Sequence, residues 1–536
     1  MARAKVERTV GWPGLALLTL WLAAWTPGAA TADADSSVGA QAYQAGMTLV
    51  QQRHYREAIQ EFERGLRAQP ADPVLLNAEG AAYSLEGDSK SAEDFFLRAL
   101  NANPGFAPAR KNLGIEYFRT GKYDLASPQF VKLADDPTSK PIADLFLGVI
   151  AVKQQRYEQG ATMLERAGGI ALQYAQSILA LSRALDQLRR PHDGQAVLSH
   201  LDNCSDASAP DYREAAQLYS KYGQPEMALQ SLDRARRLDP NLPGIDVQRA
   251  LLLQQMGRRD EALDTLRELT SRKPDGDSLR LLAHIAEDAG DLRLALDSLR
   301  KAAKLEPQRE ENYLDFSTLC LDRGNFPLAL QAADTGLTNI PHSYRLLVQK
   351  GAVLDKMGNR KEAEQVLRSA LPLQKDNSEA ILSLAITQTH DHRLQDAFTT
   401  LESGLKIFPG NYYMHYYLGN VLVQMGEGQG GLDPAMTANA ERALHRAIQL
   451  NPTFADSYFQ LGKLYLNTKP DLAEEYLVRC LRIDPKHGPA EYALGRLYLK
   501  VGKREQGQKL LADYVSLQEA EKLKEQQTPR VEASQH

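Results

Sequence analysis

The sequence lacks the features of a disulfide scaffold, a nucleic-acid coat or a polytopic membrane protein. Its 536 residues include only three cysteines, Cys204, Cys320 and Cys480, and their wide separation excludes a disulfide framework. Lysine and arginine number 63 against 68 aspartate and glutamate, a formal net charge of −5, so the chain has no overall basic excess with which to displace the counterions of a nucleic acid. We therefore expect no nucleic-acid partner.

Tryptophan is absent after residue 25. Arg3, Lys5 and Arg8 precede an apolar stretch from Val10 to Trp25 that contains all three tryptophans, and Ala30-Thr31-Ala32 follows as a small-x-small cleavage pattern. This order predicts a cleaved secretory signal over residues 1–32 and a periplasmic or secreted protein. The alternative is an uncleaved membrane anchor, since the run of about 16 residues is only slightly shorter than the ~20 that span a bilayer. After Asp33 no run is long enough, so we expect no integral membrane domain in the processed chain.

A period of 34 residues organises the chain after a short linker at residues 33–38. Gly46, Gly80, Gly114 and Gly148 are separated by 34 residues each, a spacing that indicates a repeat architecture. Fourteen units follow. They start near residues 39, 73, 107, 141, 175, 209, 243, 276, 310, 344, 378, 412, 455 and 488.

Three columns of these units are nearly invariant in size. Position 20 is Ala or Gly in all fourteen units, and position 24 is Phe or Leu in thirteen, with Ala333 as the exception. Position 8 is always small. It reads Gly46, Gly80, Gly114, Gly148, Ser182, Ala216, Ala250, Ala283, Ser317, Gly351, Ala385, Gly419, Gly462 and Gly495.

Positions 4, 7, 8 and 11, and then 20, 24 and 27, follow the spacing of one helix face and then a second. Each unit is therefore predicted to be a helical hairpin whose small residues let its two helices approach closely. Proline ends many of the second helices, as in Leu238-Asp239-Pro240 and Ile483-Asp484-Pro485, because it cannot donate the next helical hydrogen bond.

These columns resemble the tetratricopeptide repeat (TPR) family, over residues 39–521. The resemblance implies an all-α fold, a right-handed α-solenoid of about 14 helical hairpins with a concave inner surface. Unit 12 carries about nine extra residues, predicted as a flexible insertion at 426–434 between its two helices. Residues 522–536 are polar and are predicted to fray.

Sequence motifs for catalysis or cofactor binding are weak. Gly426 to Gly431 matches G-x-G-x-x-G, but a dinucleotide site needs a preceding strand and a βαβ unit, whereas here a helix precedes it. His390-Asp391-His392 lies at a predicted turn without further metal ligands in view. We expect no catalytic residue, no cofactor, no metal and no enzymatic activity. Cys320 and Cys480 fall at packing positions and are predicted to be buried, whereas Cys204 lies in a polar loop where it is open to exposure.

The resemblance implies that first-helix positions 2, 5, 9 and 12 line the inner surface. In units 12 to 14, position 9 reads Asn, Lys and Arg, which predicts a row that cradles a peptide carboxylate or another anion beside aromatic contact area. The alternative is that the tyrosines only pack between helices. The candidate partner-binding residues are Tyr413, Tyr416, Tyr417, Asn420, Phe459, Lys463, Tyr492 and Arg496.

Two other inner-surface patterns are weaker. Lys111 and Asn112 form a fragment of the carboxylate clamp that some proteins of the family use, but the next units supply Ile142, Phe146 and Gln176 where polar partners are required. Units 8 and 9 carry an acidic group, which either selects a ligand by charge or is simply solvated. Its members are Asp277, Glu287, Asp288, Glu311 and Asp315.

The sequence therefore predicts a non-catalytic, exported scaffold that binds protein or peptide partners along its inner surface. The alternative is an accessory subunit of an envelope machine that exports polysaccharide or assembles pili or a secretion apparatus. The fold alone does not choose between them, because the same array serves unrelated partners.

Overall fold

The computed structural model describes residues 34–428 and 434–527, and the predicted signal segment lies outside this part of the chain. The described residues contain 28 α-helices and no strand. The chain divides into two compact units, Met1–Arg258 and Arg259–His536, each built from consecutive helical hairpins.

The first unit contains six hairpins and one further helix. Two short 3₁₀ helices, Gly168–Gln173 and Ser199–Asn203, extend α8 and α10. The helices are α1 Ala34–Gln51, α2 Tyr55–Ala68, α3 Pro73–Glu86, α4 Ser89–Ala102, α5 Ala107–Arg119, α6 Tyr123–Leu133, α7 Lys140–Lys153, α8 Tyr157–Ala167, α9 Ala175–Gln187, α10 Pro191–Leu198, α11 Ala209–Lys221, α12 Pro225–Leu238 and α13 Ile245–Gln255.

The second unit contains one helix and seven hairpins. A short 3₁₀ helix, Leu371–Leu373, follows α20. The helices are α14 Arg259–Arg272, α15 Gly276–Asp288, α16 Leu292–Leu305, α17 Glu310–Asp322, α18 Phe326–Asn339, α19 Tyr344–Lys356, α20 Arg360–Ala370, α21 Ser378–His390, α22 Leu394–Ile407, α23 Tyr412–Gly428, α24 Pro434–Leu450, α25 Ala455–Tyr465, α26 Pro470–Ile483, α27 Gly488–Lys500 and α28 Arg504–Gln527.

The small residue at position 8 is required by the packing within each hairpin. A Cβ atom on Gly80 would lie 2.8 Å from the Phe96 ring, and one on Gly462 would lie 2.7 Å from Leu477. Phe96 and Leu477 are both completely buried. The first and second helices therefore touch at a glycine on one side and a large apolar side chain on the other, as the two columns predicted.

Three segments differ from the sequence prediction. The predicted linker at 33–38 is helical from Ala34, since it contains no helix breaker. The predicted frayed tail is helical as far as Gln527, in a run rich in Glu, Lys and Gln, which favour helix. The extra residues of unit 12 lengthen α23 and α24 to 17 residues each, so Gly426 and Gly428 are helical, while 429–433 lie outside the described residues.

No helix of the described ranges is both long enough and apolar enough to cross a membrane.

Candidate functional site

The candidate site lies on the first helices of the last three hairpins. α23 packs on α25, and α25 packs on α27, so neighbouring first helices are in direct contact. The predicted residues are distributed over these three helices. Tyr413 and Tyr492 each remain 42% exposed, whereas Tyr416 and Phe459 are half-buried between helices.

An aromatic cluster joins α23 to the start of α25. Phe454, which immediately precedes α25, lies 5.4 Å from Tyr412, 5.3 Å from Tyr413 and 5.1 Å from Tyr416 between ring centroids. Tyr412 and Tyr413 stack at 4.2 Å. Edge-to-face contacts of this kind stabilise beyond simple burial. Tyr416 is thus a packing residue, and Tyr413 packs on one side while it presents the other to solvent.

Asp456 is the charged centre of this cluster. Burial and then Asp456 raise the pKa of Tyr416 to about 12, and the same two causes raise the pKa of Tyr417. These phenols are therefore neutral at pH 7 and available as hydrogen-bond donors. The side chains of Gln460 and Asn420 are hydrogen-bonded to Tyr416, which holds the first member of the predicted row against the aromatic cluster.

His487 links α25 to α27. Its Nε2 lies 3.2 Å from Asp456 Oδ1, its ring lies 5.0 Å from Phe459, and its Nδ1 accepts the Ala490 N–H at 3.1 Å. Asp456 raises the pKa of His487, whereas the bond to Nδ1 favours the neutral ring. Because the same N–H also donates to the His487 carbonyl oxygen at 3.0 Å, losing the Nδ1 bond has a small effect, and the raised pKa prevails.

The row at position 9 ends in an accessible cation. Asn420 is half-buried, and its Oδ1 accepts a hydrogen bond from Gln424 at 2.9 Å. Lys463 is half-buried, whereas Arg496 is exposed with its guanidinium 5.8 Å from the centre of the Tyr492 ring. Tyr492 also lies 5.3 Å from Tyr514 of α28. A guanidinium stacked on a tyrosine offers both charge and flat apolar area to a ligand.

Sequence reasoning missed Asp456, His487, Phe454 and Tyr514. Asp456 occupies position 2 of its unit, a position that the resemblance assigns to the inner surface, so this residue was within reach of the pattern. His487 and Phe454 lie in the loops between units, where the 34-residue columns carry little information.

The other sequence candidates are drawn into the array. Asn112 donates to Asn77 at 2.9 Å, and both are buried together with Lys111, so the clamp fragment is not an open site. His390 lies at the end of α21 with its Nδ1 2.7 Å from Asp355. Within residues 34–428 and 434–527 no group of His, Cys, Asp and Glu side chains is arranged to hold a metal ion.

All three cysteines are buried. This confirms the prediction for Cys320 and Cys480. Exposure of Cys204 was wrong, because the loop around it folds against Leu172 and His200, whose carbonyl oxygens lie 3.8 and 3.7 Å from its Sγ. Burial raises the pKa of Cys204 to about 11, so its thiol is protonated and a poor nucleophile.

The acidic group of units 8 and 9 is paired with arginines. Asp277 lies 2.6 Å from Arg309, and Asp315 lies 2.6 Å from Arg280. Glu287 is paired with Arg323 at 3.2 Å, and Glu311 with Arg345 at 3.5 Å. These pairs join neighbouring repeats, so the group does not present a bare negative surface.

Comparison with known proteins gives the class to which this architecture belongs. A family model described as tetratricopeptide repeat matches residues 43–107 and 247–310, and a second model of the same description matches 344–377 and 455–487. The chain is a tetratricopeptide repeat protein with multiple repeats. Proteins of this family bind protein partners, and the chain carries that interaction scaffold.

Similar proteins come from varied settings. The chain is 23% identical over 201 residues to a BBSome complex member BBS4 homolog of Drosophila melanogaster, covering 37% of this chain and 41% of the relative. It is 25% identical over 250 residues to cellulose synthase 2 operon protein C of Komagataeibacter xylinus, covering 46% and 18%. The chain thus spans less than half the length of these curated relatives.

Among solved structures, yeast Tom70 is similar with a TM-score of 0.39 and 15% identity, covering 93% of this chain and 98% of that chain. Pseudomonas aeruginosa pilF is similar with a TM-score of 0.36 and 15% identity, covering 42% and 99%.

Proposed function

We propose that this chain is a non-catalytic scaffold, exported across a membrane, that binds a protein or peptide partner on the inner surface of its last three repeats. The observation that carries the proposal is the exposure of Tyr413, Tyr492 and Arg496 on consecutive first helices whose other aromatic residues are packed. Accessible tyrosine and arginine are the residue types that dominate binding energy at protein interfaces.

The charge pattern of this surface selects the partner's chemistry. Lys463 and Arg496 occupy equivalent positions of adjacent hairpins and favour an anionic group, such as a C-terminal carboxylate or an acidic side chain. Tyr413 and Tyr492 supply flat contact area on either side of that row. An extended acidic peptide that lies across the three helices satisfies both features.

The experiment is a crosslinking pull-down from a native envelope extract. The bait is the protein with Asn420→Ala, Lys463→Glu and Arg496→Glu, compared with the parent. We expect a defined partner with the parent and its loss with the variant, at unchanged helicity and melting temperature. The same partner retained by the variant would place the binding surface elsewhere in the array.

A matched control separates site chemistry from net charge. Asn467→Ala with Arg482→Glu and Lys486→Glu makes the same change in charge at exposed positions outside the three first helices. This control is expected to keep the partner.

Export is part of the proposal and rests on the segment before Asp33. Amino-terminal sequencing of the protein from its native source is expected to begin at Asp33. A chain that begins at Met1 and sediments with membranes would instead favour the uncleaved anchor.

A second candidate function is an accessory subunit of an envelope machine that exports polysaccharide or assembles pili or a secretion apparatus. The similarity to cellulose synthase 2 operon protein C favours this candidate. The two candidates differ in the partner that the pull-down recovers: a synthase or pilus subunit supports the second, and a soluble protein without such subunits supports the first alone.

A further inference from the structure

The inner positions of the first four repeats differ from those of the other ten. Position 9 is buried in repeats 1 to 4, where it is Met47, Ala81, Ile115 and Val149, at 7%, 0%, 1% and 2% exposure. In repeats 5 to 14 it is buried in none. Those residues are Arg183, Gln217, Leu251, His284, Thr318, Ala352, Ile386, Asn420, Lys463 and Arg496.

Positions 5 and 12 of the same four repeats are buried as well. Together with position 9 they form a set of twelve, here called the amino-terminal inner face, of which nine are apolar. The other eight are Tyr43, Val50, Asn77, Ser84, Lys111, Phe118, Leu145 and Val152. A first helix in the middle of an array has neighbours on both sides in every repeat, so neighbouring helices alone leave position 9 accessible, as repeats 5, 6 and 8 to 13 show.

The polar members of this face are satisfied in ways that suit an apolar cover. Ser84 donates to Glu116 at 2.6 Å, and Asn77 accepts from Asn112 at 2.9 Å. Burial lowers the pKa of Lys111 to about 8, which indicates that water has little access to its ammonium group. The face is thus dry, and its polar atoms point to one another.

The described helices packed on α1, α3, α5 and α7 are their own neighbours in the array. Of the residues outside the described ranges, one stretch is apolar and uncharged, Val10–Trp25. It ends nine residues before Ala34, and nine residues reach at most about 30 Å. Adjacent packed helices are about 8–10 Å apart, and α1 contacts α3, which contacts α5, so the segment can reach this face.

We infer that the amino-terminal inner face binds the chain's own apolar segment Val10–Trp25 for as long as that segment remains attached. The segment then shields its leucines and tryptophans from water against Met47, Ile115 and Val149. Its removal opens a second apolar surface on the array, distinct from the aromatic and cationic surface of repeats 12 to 14. The inference is independent of the proposed partner site.

Tryptophan fluorescence tests the inference directly, because all three tryptophans of the chain lie in this segment. The uncut 536-residue chain is studied in detergent-free buffer. We expect blue-shifted emission and severalfold weaker quenching by iodide than for free N-acetyltryptophanamide. The variant Leu17→Asp with Leu20→Asp lies outside the array, so it leaves the fold intact and is expected to give red-shifted, fully quenchable emission.

A second pair of variants examines the face itself. Ile115→Lys is expected to red-shift the emission, whereas Val131→Lys, at a 56% exposed position of α6, is expected to leave it unchanged. If Ile115→Lys unfolds the array, the segment variant alone decides. Water-like emission of the parent, equal to that of the segment variant, would overturn the inference, and so would a blue shift that disappears on dilution at constant helicity.

Discussion

Glu79 is a buried carboxyl without a compensating cation in direct contact. It is 1% exposed, and among the described residues its Oε2 has no hydrogen-bond partner. Burial, with a smaller contribution from Glu63, raises its pKa to about 7. A carboxyl in this setting is more easily protonated in the folded chain than in the unfolded chain, so it makes stability depend on pH.

Replacing Glu79 by glutamine is expected to remove that dependence. The pKa rises from 4.5 to about 7 on folding, so the free energy of unfolding is highest below pH 4.5 and falls as the pH rises towards 7. The full loss is about 3 kcal/mol at most. Glu79→Gln should therefore be more stable than the parent at pH 8 and nearly equal at pH 4.5. Denaturant unfolding at both pH values measures this, with exposed Glu57→Gln as control, and parallel pH curves for parent and variant would contradict it.

His284 reports on the ion pairs that join repeats 8 and 9. Its Nε2 lies 3.5 Å from Asp315, and hydrogen bonding to Asp315 raises the pKa of His284. Asp315→Asn is expected to lower the pKa of His284 in an NMR titration. Asp297→Asn, which removes the partner of Arg300 in α16, should leave it unchanged. A His284 pKa that does not respond to Asp315→Asn would show that the pair does not form in solution.

At the site, the sequence predicted the exposed residues better than the charged centre. Tyr413, Tyr492 and Arg496 sit at repeat positions, so periodicity located them. Asp456 and His487 form a pair across two units, and such a contact depends on how successive hairpins stack. A single repeat pattern contains no information on that geometry.

The turn between the two helices of a hairpin is the element with the sharpest backbone requirement. In many repeats it contains a glycine with positive φ, such as Gly87 at 94° and Gly121 at 75°. Repeats 1, 4, 5 and 11 use Arg53, Gln155, Arg189 and His392 instead, at φ between 56° and 62°. A left-handed conformation is unfavourable for residues with a Cβ by roughly 1–2 kcal/mol.

Arg189→Gly is therefore expected to stabilise its hairpin by about 1 kcal/mol. Hydrogen exchange of the α9 and α10 amides measures the local effect in an array whose repeats unfold in part independently. The control Gln187→Gly, two residues earlier at the end of α9, should destabilise by about 1 kcal/mol. Equal effects from the two substitutions would mean that the positive φ at Arg189 carries no strain.

At the scale of elements, most of the fold was accessible from the sequence. The first helices α3, α5 and α9 begin at residues 73, 107 and 175, where the pattern placed repeat starts. The pattern was less informative at Ala34, beyond residue 522 and around Gly426, because there helix propensity rather than periodicity sets the limits of the helix. Unit 12 shows this best, since its extra residues extend helices in place of a longer loop.

At the scale of the whole molecule, repetition separates stability from recognition. Columns at positions 8, 20 and 24 hold each hairpin together in nearly the same way, whereas positions 2, 5, 9 and 12 vary from repeat to repeat. The chain uses this freedom twice: repeats 1 to 4 carry a dry apolar inner face, and repeats 12 to 14 carry exposed tyrosines and cations.

Site-specific photocrosslinking tests the central claim most directly. A photoreactive amino acid is placed at 413 or 492 on the inner surface, or at the outer positions 131 or 238, which are equally exposed. After irradiation in a native envelope extract, the account predicts one defined protein adduct from 413 and 492, lost when Lys463→Glu and Arg496→Glu are added, and none from 131 or 238. Adducts from the outer positions alone, or inner adducts that persist with both charge reversals, would contradict it.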